Sequence, residues 1–350
     1  MIKNLDADIQ RLLASLDPAR APYPEATPQQ RAETLNRILA TAPPPTPRRA
    51  VTRRTLILAG GAAAVIAGAA AGLGSVLVGG PTAPEPAHAA TPKLLDDRLL
   101  GPGQPAVDRL TQLAAAARGS AAPPSTGEYA HLRTQSWSLS IRIDGHQVTS
   151  AVIPEIRESW RAPDNSGRLI ISYGPPEFAT EEDRRTWESQ GLPGAQPDVE
   201  VTDFEPGQFV GMWPDQAPQD ADELRQWLAV GHPVENGPVE TLVAVTDLLR
   251  EQVVGPAVRA ALLEILSELP DIRYAGDVTD RAGRVGSAFF IDSDRSGLPT
   301  RYVLIVDSEG QFLSYEQILT RTAGKLGVSI PAVIGYEMYL VAEFSELPSR

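Results

Sequence analysis

The sequence predicts an α+β domain held behind a single N-terminal membrane-spanning helix. Three observations carry this reading. Strand-like, then helix-like, then strand-like segments follow one another in blocks, which is the order of an α+β chain rather than an alternating α/β one. Residues 55–80 contain no Asp, Glu, Lys, Arg or His. The 350 residues include no cysteine, so an exported domain must be held by its core and not by disulfides.

The N-terminal tail comes first. Leu5, Ile9, Leu12, Leu13 and Leu16 recur at helical spacing, and Asp17–Pro18 ends that run. Thr27 is placed as an N-cap with Pro28 at the first helical position, and Leu35, Ile38 and Leu39 form a second short stripe before Pro43–Pro45. Two such short helices bury no core of their own. The tail is therefore either unfolded or a docking segment, residues 1–45, that folds on a cytoplasmic partner.

As a helix, residues 55–80 would extend roughly 39 Å at about 1.5 Å per residue. That crosses a hydrocarbon layer of about 30 Å with some tilt. Arg48, Arg49, Arg53 and Arg54 flank the stretch on its N-terminal side, and the next basic residue beyond it is Lys93. Basic flanks stay in the cytoplasm, so the N-terminus is expected inside and the C-terminus outside. Gly68 and Gly72 form a small-xxx-small pair that would let two copies pack as a homodimer. "TRRTLI" also has the form of a twin-arginine export signal, and Ala87–Ala89 has the small-residue pattern of a cleavage site. The alternative to a retained anchor is thus a leader cut near Ala89. The length of the apolar stretch and the patterned residues before it favour retention.

Residues 1–54 hold nine basic and five acidic residues, while the chain as a whole carries a net charge of −13. The external part is therefore strongly acidic, and a nucleic-acid partner is not expected. The Pro- and Ala-rich segment 81–93 reads as an extended linker. Residues 94–350 form the external domain. Its first segment, "LLDDRLLGPGQPAVDRLTQLAAAAR", reads as helix with a break at "GPGQP". Residues 128–143 alternate as a long strand, Asp144–Gly145 signals a hairpin, and a return strand carries Pro154, the mark of a bulge or edge. "RLIISYG" completes a three-stranded meander. Residues 174–218 read as loop. Helices are expected over 220–230, 239–251 and 256–268. "IRYAGDVTD", "GSAFFIDSD", "TRYVLIVDS" and "QFLSYEQILT", separated by Gly- or Pro-bearing turns, form a second meander, with "VIGYEMYLVAEF" as a further strand.

Little in the sequence suggests catalysis. His88, His131, His146 and His232 show no metal-ligand spacing, and neither a G-x-S-x-G elbow nor a phosphate-binding glycine loop is present. Glu155 and Glu158, three apart on one strand, point to opposite faces. Asp292, Asp294, Ser296 and Gly297 fit the first positions of a calcium loop, but Val303 stands where the bidentate Glu belongs, so Asp292–Gly297 reads as a polar hairpin turn. No cofactor is expected. Trp137 and Trp160 fall on neighbouring strands, where they pack a core or line a ligand cavity.

The segments "LLASLDPAR", "RAETLNRILAT", "RRAVTRRTLILAGG", "SWSLSIRIDGHQVTSAVIPEIRESWRAPDNSGRL", "YAGDVTDRAGRVG" and "DSDRSGLPTRYV" resemble a family of actinobacterial single-pass membrane proteins of unknown function. The resemblance implies a cytoplasmic tail, one anchor and an extracytoplasmic envelope domain, and it supplies no catalytic residues. The tail and anchor are similar in layout to anti-sigma factors, without the HxxxCxxC zinc pattern of many of these. The helix-then-meander start of the outer domain is similar to LolA-type lipoprotein carriers and related periplasmic sigma-regulator domains, whose sheet is a half-barrel. The expectation is a non-enzymatic, membrane-anchored sensor or regulator with a cytoplasmic partner such as a sigma factor. The alternative is a tethered lipid- or peptide-binding carrier.

Overall fold

The computed structural model describes residues 91–349, apart from positions 145–146, 176–177, 179–180, 182–183, 186–187, 189–198, 214, 325 and 327. The tail, Arg48, Arg49, Arg53, Arg54, the apolar stretch 55–80 with Gly68 and Gly72, Ala89, His88, His146 and Trp187 lie outside the described residues. Among the described residues no helix is long and apolar enough to cross a membrane.

The described domain is mostly antiparallel sheet with helices, α+β in kind. A short strand, Gln104–Pro105 (β1), precedes helix Val107–Gly119 (α1). Strands Tyr129–Asp144 (β2), Gln147–Arg161 (β3), Gly167–Tyr173 (β4) and Val199–Phe204 (β5) follow. Helices Ala221–Ala229 (α2), Pro238–Glu251 (α3) and Pro256–Ser267 (α4) come next, and then strands Arg273–Thr279 (β6), Val285–Ser293 (β7), Thr300–Val306 (β8), Phe312–Leu319 (β9) and Ala332–Ser345 (β10). The helices begin where their sequences dictate. Asp220 caps α2 by accepting from the Asp222 and Glu223 N–H groups, and Pro238 and Pro256 open α3 and α4.

The two expected meanders are one sheet. Its strand order is β1-β6-β7-β8-β9-β10-β2-β3-β4-β5, so the last strand of the second meander pairs with the first strand of the first. Local sequence carries no signal for that pairing, because the partners stand some two hundred residues apart. The expected loop over 174–218 needs correction: β5 lies within it, paired to β4 from Gly167↔Phe204 to Ser172↔Val199. This strand forms an edge, with Val199 and Val201 more than half exposed, so it lacks the buried alternation by which strands are recognised. Leu94–Leu100 is a single 3₁₀ turn at Asp97–Leu100 rather than a helix. Pro154 stands where the β3–β4 ladder stops, next to the pair Glu155↔Tyr173, and the β2–β3 register runs past it without a bulge.

The core sits on both faces of the sheet. On one face α1, α2, α3 and α4 pack over Phe289, Ile291, Tyr302, Leu304, Val306 and Tyr315. On the other, Leu99 is fully buried against Val278, Phe290, Val303 and Ile305, with Leu94 and Leu95 alongside. Residues 93–101 thus form a strap across the back of the sheet. Arg301 fastens it: its Nη1 donates to the Leu99 and Gly101 carbonyls at 2.7 Å each, its guanidinium lies 3.6 Å from the Phe290 ring centroid, and Asp292 holds its other edge at 2.7 and 2.8 Å.

Deleting the Leu99 side chain tests whether the strap belongs to the core. Leu99→Ala is expected to cost about 2–5 kcal/mol of unfolding free energy in urea titration, the range of fully buried leucines. A loss below about 1 kcal/mol would place the strap outside the cooperative unit.

Candidate functional site

The helix-side face of the sheet changes character along its width. Under the helices β7 and β8 present aromatic and aliphatic side chains, but β10, β2 and β3 present polar ones. Strand pairing sets these out in rows. Tyr315, Glu337, Ser136, Glu155 and Tyr173 stand opposite one another across β9, β10, β2, β3 and β4. The adjacent row runs through Tyr339, Thr134, Arg157, Ile171 and Glu200. Paired residues share a face, so both rows look toward the same side.

Helix α3 closes over this polar seam. It touches β7 and β2. Val239, Leu242, Val245 and Leu248 bury its apolar stripe, while Asp247 and Arg250, one turn apart, reach the charged rows. The Arg250 guanidinium bonds both the Glu337 and the Asp247 carboxylates. Burial opposes the Arg250 cation, but the two carboxylates outweigh it and hold it charged. Burial pushes the Glu337 carboxyl up, with Arg250 pulling against it. Tyr339 is buried beside them, its hydroxyl without a hydrogen-bond partner among the described residues, and burial raises its phenol well above the usual range. Glu155 and Arg157 are partly buried and make no hydrogen bond or ion pair at contact distance among the described residues. Burial raises the former and lowers the latter.

The cover over α3 is fastened to the same helix. The Glu251 carboxylate accepts the Met212 N–H at 2.8 and 3.0 Å. Gln252 accepts from Ala217 N at 3.0 Å and donates to the Asp215 carbonyl at 2.9 Å. Trp213 stacks on Trp227 at 4.7 Å and leans against His232 at 5.8 Å. His232 itself is buried. Its Nδ1 lies 2.9 Å from Glu240 Oε1 and its Nε2 3.3 Å from Asp247 Oδ2, the second contact poorly aligned for a hydrogen bond.

Both expected aromatic site residues lie on the opposite face of the sheet. Trp137 is 3% exposed, parallel to Tyr336 at 6.1 Å, and buried with Leu319, Val328, Ala332 and Ile334. Trp160 is 6% exposed and stacks on His131 at 4.6 Å. Trp137 pairs with Pro154 and Trp160 with His131, six residues along β2, so roughly 20 Å separates the two at about 3.3 Å per residue. They share a face and stand well apart along it. Glu155 and Glu158 fall on opposite faces, the second beside His131 Nε2 at 2.8 Å. His131 Nδ1 meets Glu343 at 3.1 Å. Glu337 and Glu343 are both odd-numbered on β10 yet face opposite sides, because a register shift between Tyr339 and Val341 inverts the alternation. Asp292 of the calcium-like stretch is committed to Arg301, and residues 294–297 close a tight turn with Gly297 at φ +88°. No group of three or more His, Asp or Glu converges as a metal site among the described residues. The signals sequence reading passed over are single charges inside apolar runs: Arg250 at the end of "LVAVTDLLR" and Glu337 within "VIGYEMYLV".

A second buried pair lies on the strap side. Arg281 stacks over Tyr336 at 4.7 Å, donates to the Lys93 carbonyl at 3.1 Å and lies 2.8 Å from Glu316. Burial pushes the Glu316 carboxyl up to about 7 against the pull of Arg281.

No family of known proteins, no characterised sequence and no solved structure matches this chain.

Two outcomes follow. Arg250→Met leaves Glu337 without its cation and should cost about 3–5 kcal/mol in urea unfolding. The double variant Arg250→Met/Glu337→Leu should cost clearly less than the two single changes added together, and strict additivity would contradict the coupled pair. Glu316 is raised, so its contribution to stability is full below its unfolded value of about 4.5 and is lost as pH rises through about 7. Glu316→Gln should remove that loss, so the variant gains on the wild type between pH 5 and 8. An unchanged difference across that range would refute it.

Proposed function

We propose that this protein is a non-enzymatic, membrane-anchored sensor or regulator. On this reading its acidic external domain is coupled through residues 81–93 and one span, residues 55–80, to a cytoplasmic tail that docks on a partner such as a sigma factor. The observation that carries the reading is the strap. The first described residues, from the end of the linker on, are held by the domain. Leu99 is in its core, and Arg301 and Arg281 hold the Lys93, Leu99 and Gly101 carbonyls. A rearrangement of the sheet therefore pulls directly on the chain that leads to the anchor. The charge partition of the sequence and its resemblance to single-pass actinobacterial proteins with an anti-sigma-like layout support the same reading.

The second reading is a tethered carrier of lipid or peptide. A single antiparallel sheet with its helices on one face favours it, as in the LolA-like half-barrel. The seam under α3 weighs against an acyl chain. A hydrocarbon ligand would strip water from the partly buried Glu155 and Arg157 and offer neither a polar partner. A charged or peptidic ligand fits that surface better.

Deleting residues 1–45 while keeping Arg48–Arg54 separates the two. The sensor reading expects an altered transcription profile with membrane-lipid composition unchanged. An unaltered profile together with changed lipid handling in a Glu155→Ala/Arg157→Ala variant would overturn it in favour of the carrier.

A further inference from the structure

His232 is buried between two carboxylates of one helix. Glu240 lies in the first turn of α3 and Asp247 two turns on, so both stand on the same side of the helix and face the two edges of one imidazole. A neutral imidazole has one N–H and one lone pair. It satisfies one of these carboxylates and turns a lone pair toward the other. The cation keeps the hydrogen bond to Glu240 and sets its positive charge 3.3 Å from Asp247. The remaining groups around the ring do not substitute for that proton. Arg250 is already engaged by Asp247 and Glu337, Trp213 meets the ring with its π-face, and Tyr302, whose phenol burial raises, lies toward Glu240.

We propose that the Glu240–His232–Asp247 bridge is a proton-operated latch that holds the 230–237 turn, and with it the Trp213–Trp227 cover, against helix α3. Burial alone would lower the His232 value, but the neighbouring carboxylates Asp247 and Glu240 outweigh it and raise it above 6.5. A raised value means that the latch is fully closed below about 6.5 and opens as pH rises through the folded-state value. On opening, the turn loses its hold on α3, and Asp247 shares its remaining partner, Arg250, with Glu337 on β10. The sheet-side seam and the cover are thereby linked through one ring. The inference rests on the sensor reading only for its purpose, in which the external signal is proton activity. The latch itself is a property of the domain.

The test uses the full chain in detergent micelles. The imidazole signals are followed by NMR against pH, with His232 assigned from His232→Gln, and tryptophan fluorescence is recorded over the same range. Trp213 lies 5.8 Å from the ring and stacks on Trp227, so the pair reports the state of the ring. The expected result is a His232 midpoint above 6.5, a fluorescence transition with that same midpoint, and loss of the transition in His232→Gln. Glu240→Gln, at a partly exposed position that leaves the core untouched, should move the midpoint down by about one unit. A His232 midpoint at or below 6.5 overturns the proposal, as does fluorescence that stays flat through the titration or a midpoint that Glu240→Gln leaves in place. If the latch fails while deletion of residues 1–45 still alters transcription, the latch falls and the sensor reading stands.

Discussion

The ladder between β10 and β2 is the constraint on which the rest of the domain depends. It joins two meanders that would otherwise be separate sheets, and it does so between segments near opposite ends of the described domain. Its register fixes every polar position under α3. A slip of one residue would turn Glu337 away from Arg250 and into the apolar face that holds Val303, Ile305 and Val333. The irregularity between Tyr339 and Val341 is part of the same design. It lets one strand present Glu337 to the helices and Glu343 to His131 on the other side.

Much of the secondary structure was legible because each element declares itself locally. Helix α3 begins at Gly237–Pro238 and shows its apolar stripe. The strands of the second meander alternate between turns whose glycines, such as Gly297, stand at positive φ. What the sequence could not disclose is the long-range pairing. "VIGYEMYLVAEF" reads as a strand, but nothing in it selects "YAHLRTQSW" as its neighbour. Strand β5 escaped notice because an edge strand with exposed Val199 and Val201 looks like a polar loop with two valines. The site was legible only in hindsight of that pairing. Arg250 and Glu337 are conspicuous as lone charges in apolar runs, yet only the β9–β10–β2–β3 row makes them partners. Trp137 and Trp160 stand out by residue type, and both are buried, at two separate places on one face of the sheet.

Several buried charges in this domain lie where one segment packs on another. The Arg250 cluster joins α3 to β10, the His232 bridge joins the 230–237 turn to α3, and the Arg281 and Arg301 contacts join the strap to the opposite face. Ion pairs in such places are costly to desolvate and contribute little net stability, but they discriminate sharply between a docked and an undocked arrangement. A purely apolar seam would hold as firmly and would not respond to a charged ligand or to protons. That distribution ties the fold to the proposed role. The helix side carries the Arg250 cluster and the His232 bridge, and the strap side carries the Arg281 and Arg301 contacts.

Hydrogen exchange on the full-length chain tests the single-sheet account most directly. Peptides from Tyr129–Asp144 and Ala332–Ser345 are compared with those from Val285–Ser293 and Thr300–Val306. If the β10–β2 ladder unites the domain, the interior amides of all four strands exchange slowly and open together as one unit in rising denaturant. If the β2–β5 half exchanges rapidly while β7 and β8 stay protected, the two meanders are independent, and the seam under α3 is not the fixed surface described.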